Sequence, residues 1–139
     1  MRIRSVRIGS KARFLHCAIA HLVLRGLYHH TALGEQHKAL DYYNQALLLE
    51  RAVGDRGGHA RTLSNIGVVY SALGEKQKAL DYYEQALLLQ RALQNRMGEA
   101  ITLDNIGIIY KDLGDMQKAF EYYGSTLELG RALPGQTWI

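Results

Sequence analysis

The chain has 139 residues, 47% hydrophobic and 22% charged, which is within the range of one globular domain. The net charge is +4, but residues 1–31 hold six basic and no acidic residues, leaving 11 basic against 13 acidic residues in 32–139. This even balance argues against nucleic-acid binding, and the single cysteine, Cys17, excludes an internal disulfide and favours the cytoplasm.

The N-terminal segment, residues 1–22, is basic and apolar. Its arginines and lysine precede an apolar run from Phe14 to Leu24, as in a secretory signal. Two histidines, His16 and His21, interrupt the run, and no small-x-small cleavage site follows it, so we assign no leader or anchor. No stretch reaches the about 20 apolar residues of a membrane-spanning helix. We predict an arm or helix here and no membrane partner.

A 40-residue repeat fills the rest of the chain. Aligning 32–71 with 72–111 gives 26 identities in 40 positions. The recurring segments are Leu33-Gly34-Glu35, Leu73-Gly74-Glu75 and Leu113-Gly114-Asp115, the pairs Lys38-Ala39, Lys78-Ala79 and Lys118-Ala119, and the tyrosine doublets at 42, 82 and 122. A fixed period of about 20 to 50 residues predicts a repeat architecture.

Each repeat is predicted to be a pair of antiparallel helices. Apolar residues follow a helical spacing over 60–73 and again from Gln77 to about Leu93, where Gln90 falls on the apolar stripe. The first helix ends at the Leu-Gly-Glu turn, and a longer connection is expected over 54–58. Charged residues in 41–50 and 81–91 are predicted to lie on solvated faces.

These residues resemble the tetratricopeptide repeat family. The family pattern is carried in the second repeat by Leu63, Ile66, Gly67, Tyr70, Ala79, Tyr83 and Ala86, and in the third by Leu103, Ile106, Gly107, Tyr110, Ala119 and Tyr123, with Thr126 in place of the last alanine. In this pattern each glycine admits a tyrosine of the partner helix. The first repeat departs from it, because a fixed period puts Leu27 and His30 at the glycine and tyrosine positions, although Ala39, Tyr43 and Ala46 fit.

The period and the phrases at 62–67 and 102–107 resemble the elongated repeats of bacterial signalling proteins and of the LGN/Pins scaffolds, and more distantly those of kinesin light chains. The resemblance implies an all-α solenoid of about three repeats, at about 23–53, 60–93 and 100–133 within a domain spanning 23–133. Residues 134–139 are a tail.

The resemblance also implies a peptide-binding groove along the first helices of successive repeats. Its lining positions are Arg61, Ser64, Asn65, Val68 and Ser71 in the second repeat and Ile101, Asp104, Asn105, Ile108 and Lys111 in the third. The two asparagines are expected to grip a peptide backbone, since an amide both donates and accepts; the alternative is that they brace neighbouring helices. Val68 and Ile108 either form apolar pockets or pack between repeats. The mixed charge argues against a clamp for a C-terminal carboxylate.

Other chemistry has little support. Adjacent histidines such as His29 and His30 point about 100° apart on a helix, so with His37 they do not predict a metal site. Cys17 lacks an evident base and is expected to be a small buried residue. In each tyrosine doublet only the first ring is expected to be partly exposed, and base stacking on it is disfavoured.

We predict a cytoplasmic, non-catalytic module that binds a protein or peptide partner in its groove, without cofactor, metal or nucleic acid. One alternative is a regulatory fragment of a larger signalling protein or enzyme. Another is a homodimer formed through terminal helices that lack a polar capping helix.

Overall fold

A computed structural model describes the backbone of residues 2–32 and 34–132 and the side chains of 11–30 and 34–131. This part of the chain forms six α-helices and no strand, which confirms the all-α prediction. They are α1 (Arg2–Ala32), α2 (Gln36–Val53), α3 (Arg56–Ala72), α4 (Lys76–Ala92), α5 (Arg96–Asp112) and α6 (Met116–Ala132). The predicted tail, 134–139, lies outside the described residues.

The turns between helices are all short. Gly74 and Gly114 have φ values of 80° and 83°, a left-handed conformation that glycine adopts without a steric penalty and that ends the preceding helix. The expected longer connection over 54–58 was wrong: α2 ends at Val53 and α3 begins at Arg56. Asp55 explains the difference, because its Oδ1 accepts a hydrogen bond from the Gly58 amide at 2.8 Å and so caps α3 from the residue just before Arg56.

The chain divides into two compact units, residues 1–62 and residues 63–139, with the boundary inside α3. In the first unit α1 packs against α2. Helix α1 has 31 residues, compared with 18 in α2. It is longer because it begins in the predicted arm and runs without a break across the predicted boundary between arm and repeat at residue 22. Among the side chains of α1 that the structure describes, residues 11–30, the buried apolar ones are Ile19 and Val23.

The first repeat keeps the glycine–tyrosine contact, contrary to the expectation that Leu27 and His30 break it. A Cβ atom built on Gly26 would lie 2.5 Å from Cε1 of Tyr43, which real Cβ atoms essentially never do. Gly26 therefore takes the position that a fixed period assigns to Leu27. The segment between glycine and tyrosine is one residue longer here than in the later repeats, which shifts the register.

In the second unit α4 and α5 form an apolar core cluster, and α6 packs on α5. Its buried members are Ala79, Leu80, Tyr83, Leu87, Leu103, Ile106 and Ile109. The predicted close approach is present: a Cβ on Gly67 would lie 2.6 Å from Cε1 of Tyr83, and one on Gly107 would lie 2.7 Å from Cε1 of Tyr123. Replacing either glycine with a residue that has a side chain would force the two helices of that repeat apart.

Candidate functional site

Helix α5 presents one apolar side to solvent. Ile101 is 54% exposed and Ile108 is 40% exposed, and Met97, one turn before Ile101, is 55% exposed. Asp104 and Lys111 on the same side are also exposed. Four of the five lining positions predicted for the third repeat are thus accessible to a ligand, and Met97 adds an apolar contact that the sequence reasoning did not include.

The predicted positions on α3 are more enclosed. Ser64 is only 8% exposed, and Val68 is partly buried against the α4–α5 core. Val68 therefore contributes to packing between repeats, whereas its counterpart Ile108 remains open to solvent. Arg61 is exposed and belongs to the first unit; the other nine predicted positions belong to the second.

Lys76 joins the C-terminal ends of α3 and α5. Its Nζ donates to the carbonyl oxygen and the hydroxyl of Ser71, both at 3.3 Å, and lies 3.4 Å from Oδ2 of Asp112. The Ser71 hydroxyl is therefore already engaged by an ammonium group. Sequence reasoning missed Lys76 and Asp112 because their repeat counterparts, such as Met116 for Lys76, carry no charge to mark the position.

The two candidate asparagines differ from bracing residues in their contacts. Asn65 and Asn105 are both half-buried. Within the described part of the chain, no hydrogen bond engages either side-chain amide, whereas Asn95 caps α5 by accepting from the Gly98 amide at 3.0 Å. Each amide group keeps its donors and acceptor available, which a peptide backbone requires.

A stacked aromatic pair recurs in every repeat. The ring centroids lie 5.3 Å apart in His29–Tyr42, 5.4 Å in Tyr70–Tyr82 and 5.5 Å in Tyr110–Tyr122. His29 thus takes the tyrosine position that a fixed period assigns to His30. The signal was present in the sequence, because the aromatic residue follows the glycine by three positions in all three repeats.

In each stacked pair, the first tyrosine of the doublet packs one face of its ring against the aromatic ring of the preceding helix. Lys78 and Lys118 lie over the rings of Tyr70 and Tyr110 at 5.3 and 5.1 Å. Burial, and then the neighbouring Tyr70, raises the pKa of Tyr82, as expected for a phenol inside such a stack. The second tyrosine of each doublet was predicted to be buried. This was right for Tyr43 and Tyr83, which are buried, and wrong for Tyr123, which is partly exposed.

Comparison with known proteins agrees with this geometry. The family model for the tetratricopeptide repeat matches residues 17–92 and 79–132. The chain belongs to the tetratricopeptide repeat family. No curated protein sequence matches it. The crystal structure of BtubC (BKLC) from P. vanneervenii aligns with a TM-score of 0.76 at 22% identity, over 87% of this chain and 50% of that one.

The TPR domain of Arabidopsis FLU is also similar in structure. It aligns with a TM-score of 0.77 at 18% identity, over 86% of this chain and 99% of that one. Both identities are low, so the likeness is one of fold. The chain spans half the length of BtubC and nearly all of the FLU domain. Tetratricopeptide repeats are in general protein interaction modules rather than catalysts.

Between the first and second tetratricopeptide repeats, one charged residue is buried. Glu50 has no exposed surface, which contradicts the expectation that all charges in 41–50 are solvated. The Thr62 hydroxyl donates to Glu50 Oε1 at 2.7 Å, and His59 Nδ1 lies 3.9 Å from Glu50 Oε2. Burial raises the pKa of the Glu50 carboxyl, and burial together with Arg51 lowers the pKa of His59.

The remaining candidates do not form a chemical site. His29 Nδ1 is hydrogen-bonded to Glu35 Oε2, and Lys38, followed by His29, lowers the pKa of that carboxyl. Among the described residues no group of three or more His, Cys, Asp or Glu side chains could hold a metal ion. Cys17 is exposed, so its predicted burial was wrong. No described helix has the length and apolarity to cross a bilayer.

Proposed function

We propose that the chain binds a segment of a partner protein along the sides of α3 and α5 that carry Asn65 and Asn105. The observation that supports this most is the exposed stripe of Met97, Ile101 and Ile108 beside an asparagine with no hydrogen-bond partner among the described residues. A surface with apolar contacts spaced by one and two helical turns, and with free amide groups, suits an amphipathic helix or an extended peptide.

The charges along this surface define the partner further. Asp104 and Lys111 have opposite signs, and Lys76 is held by Ser71 and Asp112. Among the described residues of this surface, no cluster of positive charge is therefore free to hold a carboxylate, and we infer that apolar contacts carry the affinity. We propose a scaffold or adaptor role in the cytoplasm, without catalysis.

A library of displayed random peptides would test this function. Peptides selected on the wild-type chain should bind about tenfold more weakly to an Ile101→Asp/Ile108→Asp variant, because apolar anchors dominate interface energy. The matched control is Leu48→Asp/Leu88→Asp, which makes the same change at leucines that are 67% and 69% exposed on α2 and α4. Circular dichroism confirms that all three proteins are equally helical.

Replacing the asparagines separates backbone recognition from apolar contact. Asn65→Ala/Asn105→Ala should weaken every selected peptide by a similar factor, because a backbone contact is indifferent to peptide sequence. Asn44→Ala, which removes an exposed amide from α2, should have no effect. Full binding by both the asparagine and the isoleucine variants would contradict the proposal.

Two alternatives remain. In the first, the repeats are the regulatory part of a longer signalling protein or enzyme, and the alignment of this chain with half the length of BtubC supports a longer protein. The other alternative is self-association, favoured by the 65% exposure of Phe120 on α6 where the matching Leu80 on α4 is 5% exposed.

A further inference from the structure

Helix α6 leaves open the side that, on α4, the next helix covers. Leu80 and Leu87 of α4 are buried in one cluster with Leu103, Ile106 and Ile109 of α5. The same two repeat positions on α6 are Phe120 and Leu127, which are 65% and 55% exposed. The α4–α5 contact therefore shows what kind of surface fits this side of the helix, namely the apolar stripe of another helix.

The open side forms a continuous stripe. Met116, Phe120 and Leu127 are spaced by one and two turns of helix, and Met116 is 44% exposed. The charged residues Glu121 and Glu128 lie about 80° or more around the helix from Phe120. A second α6 could therefore approach this stripe without burying a carboxylate.

A glycine in the middle of α6 is a second, independent observation. Gly124 stands where the earlier repeats have Asn44 and Glu84, and it lies one turn from Phe120. A Cβ built on Gly124 would meet no atom within 4 Å, so packing within the chain does not require a glycine. Glycine inside a helix costs about 1 kcal/mol relative to alanine. Close packing of a helix from another molecule across this position would explain the glycine.

We propose that two copies of the chain associate through antiparallel packing of α6 on its symmetry mate. In this arrangement Phe120 packs on Leu127 of the second copy, and the two glycines at 124 meet near the two-fold axis. Such an isologous contact closes on itself and does not extend into a fibre. The inference deepens the self-association alternative above and is independent of peptide binding.

Charge favours the antiparallel direction. Setting Phe120 opposite Leu127 also sets Arg131 opposite Met116, next to Asp115. Arg131 is exposed, and Asp115 is half-buried with Lys118 Nζ 3.8 Å away. A parallel pair would instead place each Arg131 beside the other, where like charges repel. A single helix pair is a small interface, so we expect the dimer to dissociate in the micromolar range.

Sedimentation of the full chain over a range from low micromolar to near-millimolar concentration tests the proposal. The wild type should shift from monomer to dimer, and Phe120→Glu should remain monomeric throughout. Phe14→Glu is the matched control, because Phe14 is 72% exposed on α1 and its replacement should leave the dimer intact. Phe120→Glu should also keep its affinity for the selected peptides, whereas Ile101→Asp/Ile108→Asp should still dimerise.

Cysteine cross-linking tests the direction of packing. In a Cys17→Ser background, a mixture of Gln117→Cys and Arg131→Cys chains should form disulfide-linked heterodimers, whereas each variant alone should form few. Efficient linking of each variant alone would indicate parallel helices and would overturn the proposed arrangement. A wild type that stays monomeric, or a Phe120→Glu variant that dimerises, would overturn the dimer itself.

Discussion

The two junctions between repeats share a backbone but differ in their polar side chains. In the first, from α2 to α3, the Asp55 amide donates to the carbonyl of Glu50 at 2.9 Å; in the second, from α4 to α5, the Asn95 amide donates to the carbonyl of Gln90 at the same distance. Both Asp55 and Asn95 also cap the next helix. The turn is therefore fixed by backbone and cap, and the side chains around it are free to vary.

The difference lies in where the charge is placed. The first junction buries Glu50, bonded to Thr62, with His59 beside it. In the second junction the buried residue is the neutral Gln90. The acidic residue is Glu99, which lies near the surface, where its Oε1 accepts a hydrogen bond from Arg91 Nε at 2.8 Å. An acid that is buried depends on each polar neighbour, whereas an acid at the surface is also solvated by water. The first junction should thus be the more sensitive of the two.

The largest expected effect is at Thr62, and the equivalent Thr102 serves as the control. Thr62→Val removes the only hydrogen bond that the Glu50 carboxyl makes within the described part of the chain and should lower the free energy of unfolding by about 1 to 3 kcal/mol. Thr102→Val is the matched control, because the Thr102 hydroxyl is buried without a partner among the described residues, so valine should be neutral or stabilising. Urea unfolding followed by circular dichroism measures both. Equal losses would remove the distinction between the junctions.

A smaller effect is expected at the turn itself. Gly54 has a φ of 73°, and Gln94, at the same place in the second junction, has a φ of 56°. A left-handed residue with a Cβ costs about 1 kcal/mol, so Gly54→Gln should lower stability by about that amount and Gln94→Gly should raise it by somewhat less. The urea midpoints of the two single variants and the double swap provide the measurement. Changes of the same sign would show that φ does not control this position.

The smallest effect is a change in how stability depends on pH. Because burial raises the pKa of Glu50, its contribution to stability is full below its ordinary value of 4.5 and is lost as pH rises through the raised pKa. Because the pKa of His59 is lowered, its contribution is full above 6.5 and is lost as pH falls through the lowered pKa.

Exchange variants assign these two contributions. Glu50→Gln should abolish the loss on the alkaline side, His59→Gln should abolish the loss on the acidic side, and Gln90→Glu should introduce an alkaline loss at the second junction. Urea midpoints from about pH 4 to about pH 9 compare the four proteins. A Glu50→Gln variant whose midpoints run parallel to those of the wild type at every pH would show that Glu50 does not titrate differently on folding.

Most of the fold is encoded locally and was predictable. The spacing of Leu63, Ile66 and Val69, the glycine turns and the glycine–tyrosine contacts each depend on a few neighbouring residues repeated at a fixed interval. The fixed interval also produced the error in the first repeat, where one extra residue moves the contact from Leu27 to Gly26. A search for the glycine and its aromatic residue three positions later, without a fixed period, would have found it.

The repeat, the helix pairs and the family follow from the amino-acid sequence alone, because short-range periodicity specifies them. The packing of the folded chain is needed to show which matching repeat positions are equally buried. Leu80 is buried because α5 packs against it, whereas Phe120 is exposed because no helix among the described residues covers it. Val68 is enclosed while Ile108 is open, and Glu50 is buried although its charge marks it as a surface residue, because burial depends on what packs against a side chain and not on its own identity.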